Sequence, residues 1–528
     1  MAIAYTEIDA MTRYLQGSVT GSPLCIALLG VLACSSRPAH FRDADAIEAV
    51  IDDNPIPLPQ RTEIPDWARY SDVYARRAVV GALDPRRARD AVDVNALDEV
   101  PTSSWFDSNR LPLLDGYASR GLPAAPFEQL PADPRRPDWQ VIVDGNGQRW
   151  ELVIDDPERP ILRTAAGAIS SRLLFAFGYH AADSHIISLP ERPRALAVRW
   201  PSARAPFSKS ETFDLGPTAS TGTRLDDPND VVPHEERRSL RALGTVAAWI
   251  GLDQIRADSL RDVYVGTPGQ GFVQHQVVSV EDALGAGALR SALNGDEDGA
   301  PPSNAWLALG SLGFAPKEGP DPSDTPFPSV GIFHTHTELA RYGLSVPFPP
   351  AQDALLGDVY WAAKRVARVP DATIIEAVAG GELEPAAART YVERALKARR
   401  TDIARFVMSL VTPLELTRVT PVSAKRARGE TFELKLDDRA ILLAFAKASE
   451  SRYEIEVYDG EGDALVAPFE STPTGSTLSV KVAPELLDQN GYVVVRIRAI
   501  RSELRAPRSV ELHLRGSAET ARVRGIRH

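Results

Sequence analysis

Carboxylates and an imidazole crowd into one short stretch of this chain: Asp226, Asp227, Asp230, His234 and Glu235, within G-T-R-L-D-D-P-N-D-V-V-P-H-E-E-R-R from Gly222 to Arg238. Hard cations take carboxylate oxygens and transition metals take imidazole, so these are the donor types of a metal or polar-ligand site. The same residues also have a structural use. Acidic side chains ahead of a helix accept its first N–H groups, and a histidine beside a glutamate makes an internal hydrogen-bond pair. That structural use is the expectation. A second constellation is His334-Thr335-His336-Thr337-Glu338, where strand alternation would put His334, His336 and Glu338 on one face, with zinc-ligand residue types.

The block is followed by a helix-like run to Trp249, then W-I-G-L-D-Q-I-R-A-D-S-L-R-D-V-Y-V, then H-Q-V-V-S-V-E-D-A-L-G from His275 to Gly285. These segments resemble a family of predicted bacterial lipoproteins that carry G-T-R-x-D-D-P-N-D-x-x-P-H-E-x-R-R, W-L-N-H-T-D with a nearby Asn, and H-Y-L-I-D-F-G-S-x-L-G. The last two are similar to the catalytic Asp, metal Asn and D-F-G metal Asp of atypical kinases. The resemblance extends from about Asn95 to about Leu414 and includes N-A-L-D-E-V-P-T-S-S-W-F at Asn95–Phe106, D-V-Y-W-A-A-K at Asp358–Lys364 and R-R-T-D-I-A-R at Arg399–Arg405.

The resemblance implies a kinase-like site whose chemistry is degenerate. The catalytic Asp falls on Gln254, which cannot accept a proton as a carboxylate does. The D-F-G Asp falls on Ser279, a poor ligand for Mg²⁺. The metal Asn falls on Asp258 or Ser259. The nucleotide-binding lysine of the N-terminal lobe has no counterpart, since the first lysine of the chain is Lys209. No cofactor is expected on this reading. Mg-ATP enters only under an alternative in which Asp253, Asp258, Glu281 or Asp282 supply carboxylates to a rearranged site. The His334 constellation is superficially similar to a zinc-dependent deubiquitinase motif. That motif needs Ser-x-x-Asp downstream, whereas Ser345 leads into Val346-Pro347-Phe348, so no metal is assigned there.

The elements that would position these residues are legible in the pattern. W-Q-V-I-V-D, a Gly145-Asn146-Gly147 turn and R-W-E-L-V-I-D make a hairpin. Ile161–Phe177 has an amphipathic helix pattern stopped by Gly178, and His185–Leu189 is a strand. Arg237–Ile250 is a helix. In Asn95–Phe106, Trp105 and Phe106 enter the core while Asp98 and Glu99 cap or turn. Residues 293–329 form a Gly/Pro/Asp-rich connection. Helices follow within Gly357–Met408, where the Arg399–Arg405 basic residues are expected on a solvated face. After Pro413 the grammar is that of strands, at Thr431–Leu436, Ile441–Lys447, Tyr453–Tyr458, Thr477–Val482, Tyr492–Ile500 and Val510–Leu514, with the spacing of a β-sandwich.

The 528 residues allow two or three domains, and a net charge of −12 implies no broad basic surface, so nucleic acid is not an expected partner. Leu24–Ala33 is an apolar run too short to span a bilayer and suited to a signal-peptide core. Val31-Leu32-Ala33-Cys34 resembles a lipobox, which implies lipidation at Cys34, and Ser35 after it fits the outer membrane of a Gram-negative cell. Acidic Glu7 and Asp9 suit a start at Met11 better than at Met1. The only cysteines, Cys25 and Cys34, both lie in this address, so the mature protein has no disulfide.

The expected fold class is α+β: a two-lobed kinase-like domain followed by a C-terminal immunoglobulin-like β-sandwich. The expected domains are a signal peptide over 1–33, a tether and collar over 34–100, the kinase-like domain over 101–415 (N-lobe about 136–200, C-lobe about 222–415) and the sandwich over 416–528. The expected function is that of an envelope lipoprotein whose degenerate kinase-like domain binds or scaffolds. Its partners would be the membrane, through a lipid anchor, and an envelope protein or glycan. The alternatives are a phosphotransferase or nucleotide-binding enzyme with a rearranged metal site, and a carbohydrate- or protein-binding protein acting through the sandwich.

Overall fold

The computed structural model describes residues 40, 51–64, 90–110, 112–118, 121–131, 140–190, 192–199, 212–255, 259–294, 322–420, 431–501 and 507–528. The leader with Cys34, Lys209, Asp258 and most of the 293–329 connection lie outside them. Helix and antiparallel sheet are mixed throughout, as expected of an α+β chain. The described residues fall into two compact units, one drawn from positions 49–93 and 100–404, the other from positions 1–48, 94–99 and 405–528.

The larger unit holds two sheets. The first comprises β1 (Glu128–Gln129), β2 (Gln140–Val143), β3 (Arg149–Val153), β4 (Asp183–Leu189) and β5 (Arg192–Arg199), antiparallel in the order β1-β2-β3-β5-β4. Asp144 sets the β2–β3 hairpin: its Oδ1 accepts from the N–H groups of Asn146 and Gln148, and its Oδ2 from the indole of Trp150. Between β3 and β4 runs α1 (Leu162–Phe177). An amphipathic helix was expected there, but every residue except Arg163 and Arg172 is buried. Small side chains let neighbouring elements close on it from several sides, and its buried Ser171 hydroxyl is bonded to that of Ser184 at 2.9 Å.

The start of α1 is fixed from a distance. Ile161, at its N-cap, has φ +79° and offers no side-chain acceptor. Asp155 takes that role, accepting from the N–H groups of Ile161 (2.9 Å), Arg163 (2.7 Å) and Thr164 (3.0 Å) and from the Thr164 hydroxyl (2.5 Å).

The second sheet is β6 (Thr212–Pro217), β7 (Leu260–Val265) and β8 (Phe272–Val277), antiparallel in that order. Helix α2 (Leu243–Ile250) precedes β7, entered through a short 3-10 turn (His234–Glu236) and a helical turn (Arg238–Arg241), and ended by Gly251 in left-handed backbone. The strand-like run from His275 to Gly285 stops at Val277, and the remainder turns into α3 (Ala286–Asn294). Ser279 and Leu284, both with positive φ, make that change of direction.

Three helices follow: α4 (Leu356–Arg368), α5 (Asp371–Ala379) and α6 (Ala386–Leu410). Arg399 is not on a solvated face. It is 5% exposed, and its guanidinium donates to the carbonyls of Ala248, Trp249 and His334. A helix C-terminus leaves carbonyls without intrahelical partners, and the buried end of α2 is closed by this arginine. Residues 51–64 also join the unit, through Ile56 bonded to Gly271 and Asp52 accepting from Ser104.

The second unit contains a three-stranded sheet, β13 (Thr477–Val482), β10 (Phe432–Asp438) and β9 (Leu414–Thr420) in that order. It also contains a five-stranded sheet ordered β12 (Phe469–Ser471), β11 (Arg452–Tyr458), β14 (Tyr492–Ile500), β15 (Val510–Arg515) and β16 (Arg522–Arg527). Alternate residues of both enter one core, among them Leu434, Leu436 and Val480 from the first and Tyr453, Ile455, Val495 and Leu512 from the second. The strand expected at Ile441–Lys447 is instead a short helix, Arg439–Leu442. Asp438 nucleates it by accepting from Ile441 N–H at 3.0 Å, while its other oxygen accepts from Tyr453 and Arg501. Asn95–Glu99 belongs to this unit, where Asp98 meets Nδ1 of His528 at 2.9 Å.

Candidate functional site

The five polar residues of the Gly222–Arg238 block do not converge on one point. Asp230 is buried, accepting from Nε2 of His234 at 2.7 Å, from Arg237 at 2.9 Å and from the Arg224 backbone at 2.7 Å. His234 therefore pairs with Asp230, not with Glu235, and its Nδ1 faces the Ala219 carbonyl at 2.5 Å. The reason is register: residues four apart face each other across the turn that adjacent residues cannot close. Glu235 accepts from Gly222 N–H at 2.7 Å, and Asp226 accepts from Gln60 N–H at 3.0 Å and pairs with Arg224 at 2.8 Å. Nor does this cluster cap the following helix. Asp93 does so, accepting from Arg238 N–H at 2.5 Å and from the Ser239 hydroxyl at 3.1 Å.

A second buried pair lies beside the first. On β7, Asp262 meets Nδ1 of His275 (β8) at 2.8 Å and Arg224 at 2.8 Å, with the Thr218 hydroxyl also donating. Between the two histidines sits Trp105, stacked on His275 with centroids 3.7 Å apart and edge-on to His234 at 4.6 Å. Arg237 lies over the same indole at 4.8 Å. Burial alone would raise the Asp230 carboxyl, but the hydrogen bond and charge of His234, with His275 and Arg237, hold it well below the usual range. Asp262 behaves likewise: burial raises it, while His275, Thr218 and Arg224 outweigh burial and hold it at about 2. Asp227 goes the other way, pushed up by burial.

The last arginine of the block continues the network. Arg238 meets Asp358 of α4 at 2.9 Å, and Arg241 meets the other oxygen at 3.3 Å. The block, the Trp105 segment, β7–β8 and α4 are thus joined by buried ion pairs and stacked rings.

The positions that the resemblance assigns to phosphate chemistry lie around α3. Gln254 is buried and donates to the Ser291 hydroxyl at 3.2 Å. A Cβ on Gly287 would come within 2.4 Å of Oδ1 of Asp253 and 3.1 Å of Cβ of Asp282, so the fold brings these two candidates together. Glu281 is bonded to Arg163 of α1 at 3.0 Å, and Asp282 to Arg290 at 2.7 Å with Arg163 3.6 Å away. The ion pairs thus join α1 to the segment after β8, with the helix bringing the cation and the segment bringing the carboxylates. A carboxylate neutralised by guanidinium is poorly placed to bind Mg²⁺, and Ser279 adds no charge, so this donor set does not suit the metal the resemblance implies. The Leu284-Gly285 end of the segment is a packing contact. The two strips, Leu284-Gly285 and Gly331-Ile332, approach so closely that a Cβ on Gly331 would strike the backbone of Gly285, and one on Gly285 the backbone of Ile332.

The His334 constellation is not a strand. Residues 331–338 have no ladder partner, so alternation does not apply. His334 is exposed, His336 turns to Asp402 at 2.8 Å and Glu338 to Arg341 at 3.1 Å. Among the described residues no group of His, Cys, Asp and Glu is gathered to hold a metal ion.

Sequence reasoning placed Trp105 and Phe106 in the core, where both are buried, but missed Asp262 as the partner of His275 and Trp105 as the ring between two imidazoles. The signal available was Arg261-Asp262 on one strand opposite His275 on the next. No protein-family model matches this chain, and no curated protein matches it.

Proposed function

We propose that this protein is an envelope lipoprotein in which a catalytically degenerate kinase-like domain serves as a binding or scaffolding module. The observation that carries the reading is the engagement of Glu281 and Asp282 by Arg163 and Arg290, next to Gln254 and Ser279 where the resemblance calls for carboxylates. Frames that once served chemistry can persist as folds after the reacting groups are lost. The placement of α1 directly after the third strand of a five-stranded antiparallel sheet supports the kinase-like interpretation of the N-terminal lobe. The two sheets sharing one core in the C-terminal unit support an immunoglobulin-like sandwich. Lipidation at Cys34 rests on the Val31–Cys34 sequence and its preceding apolar run.

Phosphotransfer tests the reading. The purified chain, given radiolabelled ATP and Mg²⁺, is expected to transfer no phosphate to itself or to a general protein substrate. Transfer that Asp253→Ala abolishes would replace the scaffold with the rearranged enzyme.

A further inference from the structure

The Gly222–Arg238 loop turns its charges inward and its aliphatic side chains outward. Leu225 is 100% exposed and Val231 75%, and Pro228 between them is exposed as well. These residues recur every third position, whereas the intervening Asp227 and Asp230 are buried. Asp226, the one outward acid of the set, is ion-paired to Arg224.

Beside the loop runs the segment Ile51–Gln60, stitched to it by Asn229 Nδ2 donating to the Asn54 carbonyl at 2.9 Å and by Gln60 N–H donating to Asp226. It adds Ile51, 74% exposed, and Leu58. The exposure is not that of a loose loop, because Asp230, Glu235 and Asp227 each accept from loop backbone.

We propose that this edge is a membrane-contact surface that sets Leu225, Val231 and Ile51 into the interfacial layer of a lipid bilayer. Two observations favour lipid over a protein partner. Energetic centres of protein interfaces are rich in Trp, Tyr and Arg and poor in Leu and Val, and none of the outward residues of the loop is aromatic or arginine. Isolated aliphatic side chains on an exposed, hydrogen-bonded loop need no complementary pocket in a fluid apolar layer.

The second observation is where the chain enters the fold. Ile51 follows Cys34 by 51 − 34 = 17 positions, and at about 3.3–3.6 Å per residue that connection reaches at most about 60 Å. A lipid at Cys34 would therefore keep this edge within reach of the bilayer. This second argument rests on the lipoprotein reading, and the first does not.

The test uses the full chain with Cys25→Ser and Cys34→Ser, carrying a polarity-sensitive fluorophore on Leu225→Cys, Val231→Cys or, as a control exposed on α5, Ile375→Cys. Vesicles of phosphatidylethanolamine and phosphatidylglycerol are added. The expected result is a blue shift and quenching by lipid-borne nitroxide at 225 and 231 but not at 375. The unlabelled double variant Leu225→Asp, Val231→Asp should partition less, by roughly ten-fold per aliphatic lost.

Equal spectra at all three positions, or a shift that grows with protein concentration in the absence of vesicles, would overturn the proposal; the latter would assign the edge to a second copy of the chain. Labelling of Cys34 by palmitate in cells is scored separately. A vesicle-dependent shift at 225 without palmitate label would remove the lipid anchor and leave the membrane contact standing.

Discussion

Trp105 lies flat on His275, with ring centroids 3.7 Å apart and 12° between the planes. That contact joins the S-S-W-F segment to the β7–β8 hairpin, and the edge of the same indole meets His234 of the polar block. Three sequence motifs that read as separate features are therefore one packed unit. Each histidine is backed by an aspartate, Asp230 for His234 and Asp262 for His275, so the rings are held in fixed orientation.

Removing the indole should open this assembly from the middle. Trp105→Ala is expected to destabilise the larger unit by about 3–5 kcal/mol, the range for a buried aromatic truncated to a methyl group. Denaturant unfolding followed by tryptophan fluorescence and far-UV circular dichroism measures it. A cost under about 1 kcal/mol would mean the stack contributes little.

Acid should release the aspartates. Asp262 has a folded pKa of about 2 against an ordinary 3.8, so its contribution is complete above the ordinary value and is lost as pH falls through the folded one. Asp262→Asn is expected to lower stability at neutral pH and to flatten the fall in stability between those two values by an amount on the order of 2 kcal/mol. Urea melts of wild type and variant across this range would expose the difference; parallel pH curves would count against the assignment.

Asp155 should behave as a helix cap although it stands well ahead of the helix. Asp155→Ala removes the acceptor for three backbone N–H groups and a hydroxyl and is expected to cost about 1–2 kcal/mol. Asp156→Ala, which loses only a turn contact to Glu158 N–H, is the comparison and should cost less. Equal losses would argue against the cap.

Arg399 separates a buried from an exposed role in one dipeptide. Arg399→Ala leaves the Ala248, Trp249 and His334 carbonyls without that donor, and is expected to cost about 1–3 kcal/mol per group left unsatisfied. Asp371→Ala, which frees Arg400 from an exposed pair, should change stability by at most about 1 kcal/mol.

Local pattern made the β2–β3 hairpin, the extent of α1 and most strands of the second unit legible, because alternation reports a strand's buried face directly, whereas the burial of α1 on all sides was set by its neighbours. It failed where a distant group decides. Nothing near Ile441 announces that Asp438 will start a helix there, and a run such as Arg399–Arg405 reads as solvated until α2 supplies the carbonyls that bury its first arginine. The block at Gly222–Arg238 was visible as a dense polar set, and its structural use was expected. Its partners were not, since Asp262, Asp93 and Asp358 come from elsewhere in the sequence. At the positions that the resemblance assigns to phosphate chemistry, the sequence displayed Gln254 and Ser279 but not the arginines that pair with Glu281 and Asp282.

The central proposal is that the domain resembling a kinase does not handle nucleotide. Its most direct test is the melting temperature of the purified chain with ATP or ADP and Mg²⁺, each with and without chelator. A ligand present at about 100 times its dissociation constant stabilises by about 2.7 kcal/mol, a shift easily seen by calorimetry. The account predicts superimposable melts under all conditions. A chelator-sensitive upward shift with ATP, lost in Glu281→Ala or Asp253→Ala, would contradict it and return the domain to nucleotide chemistry.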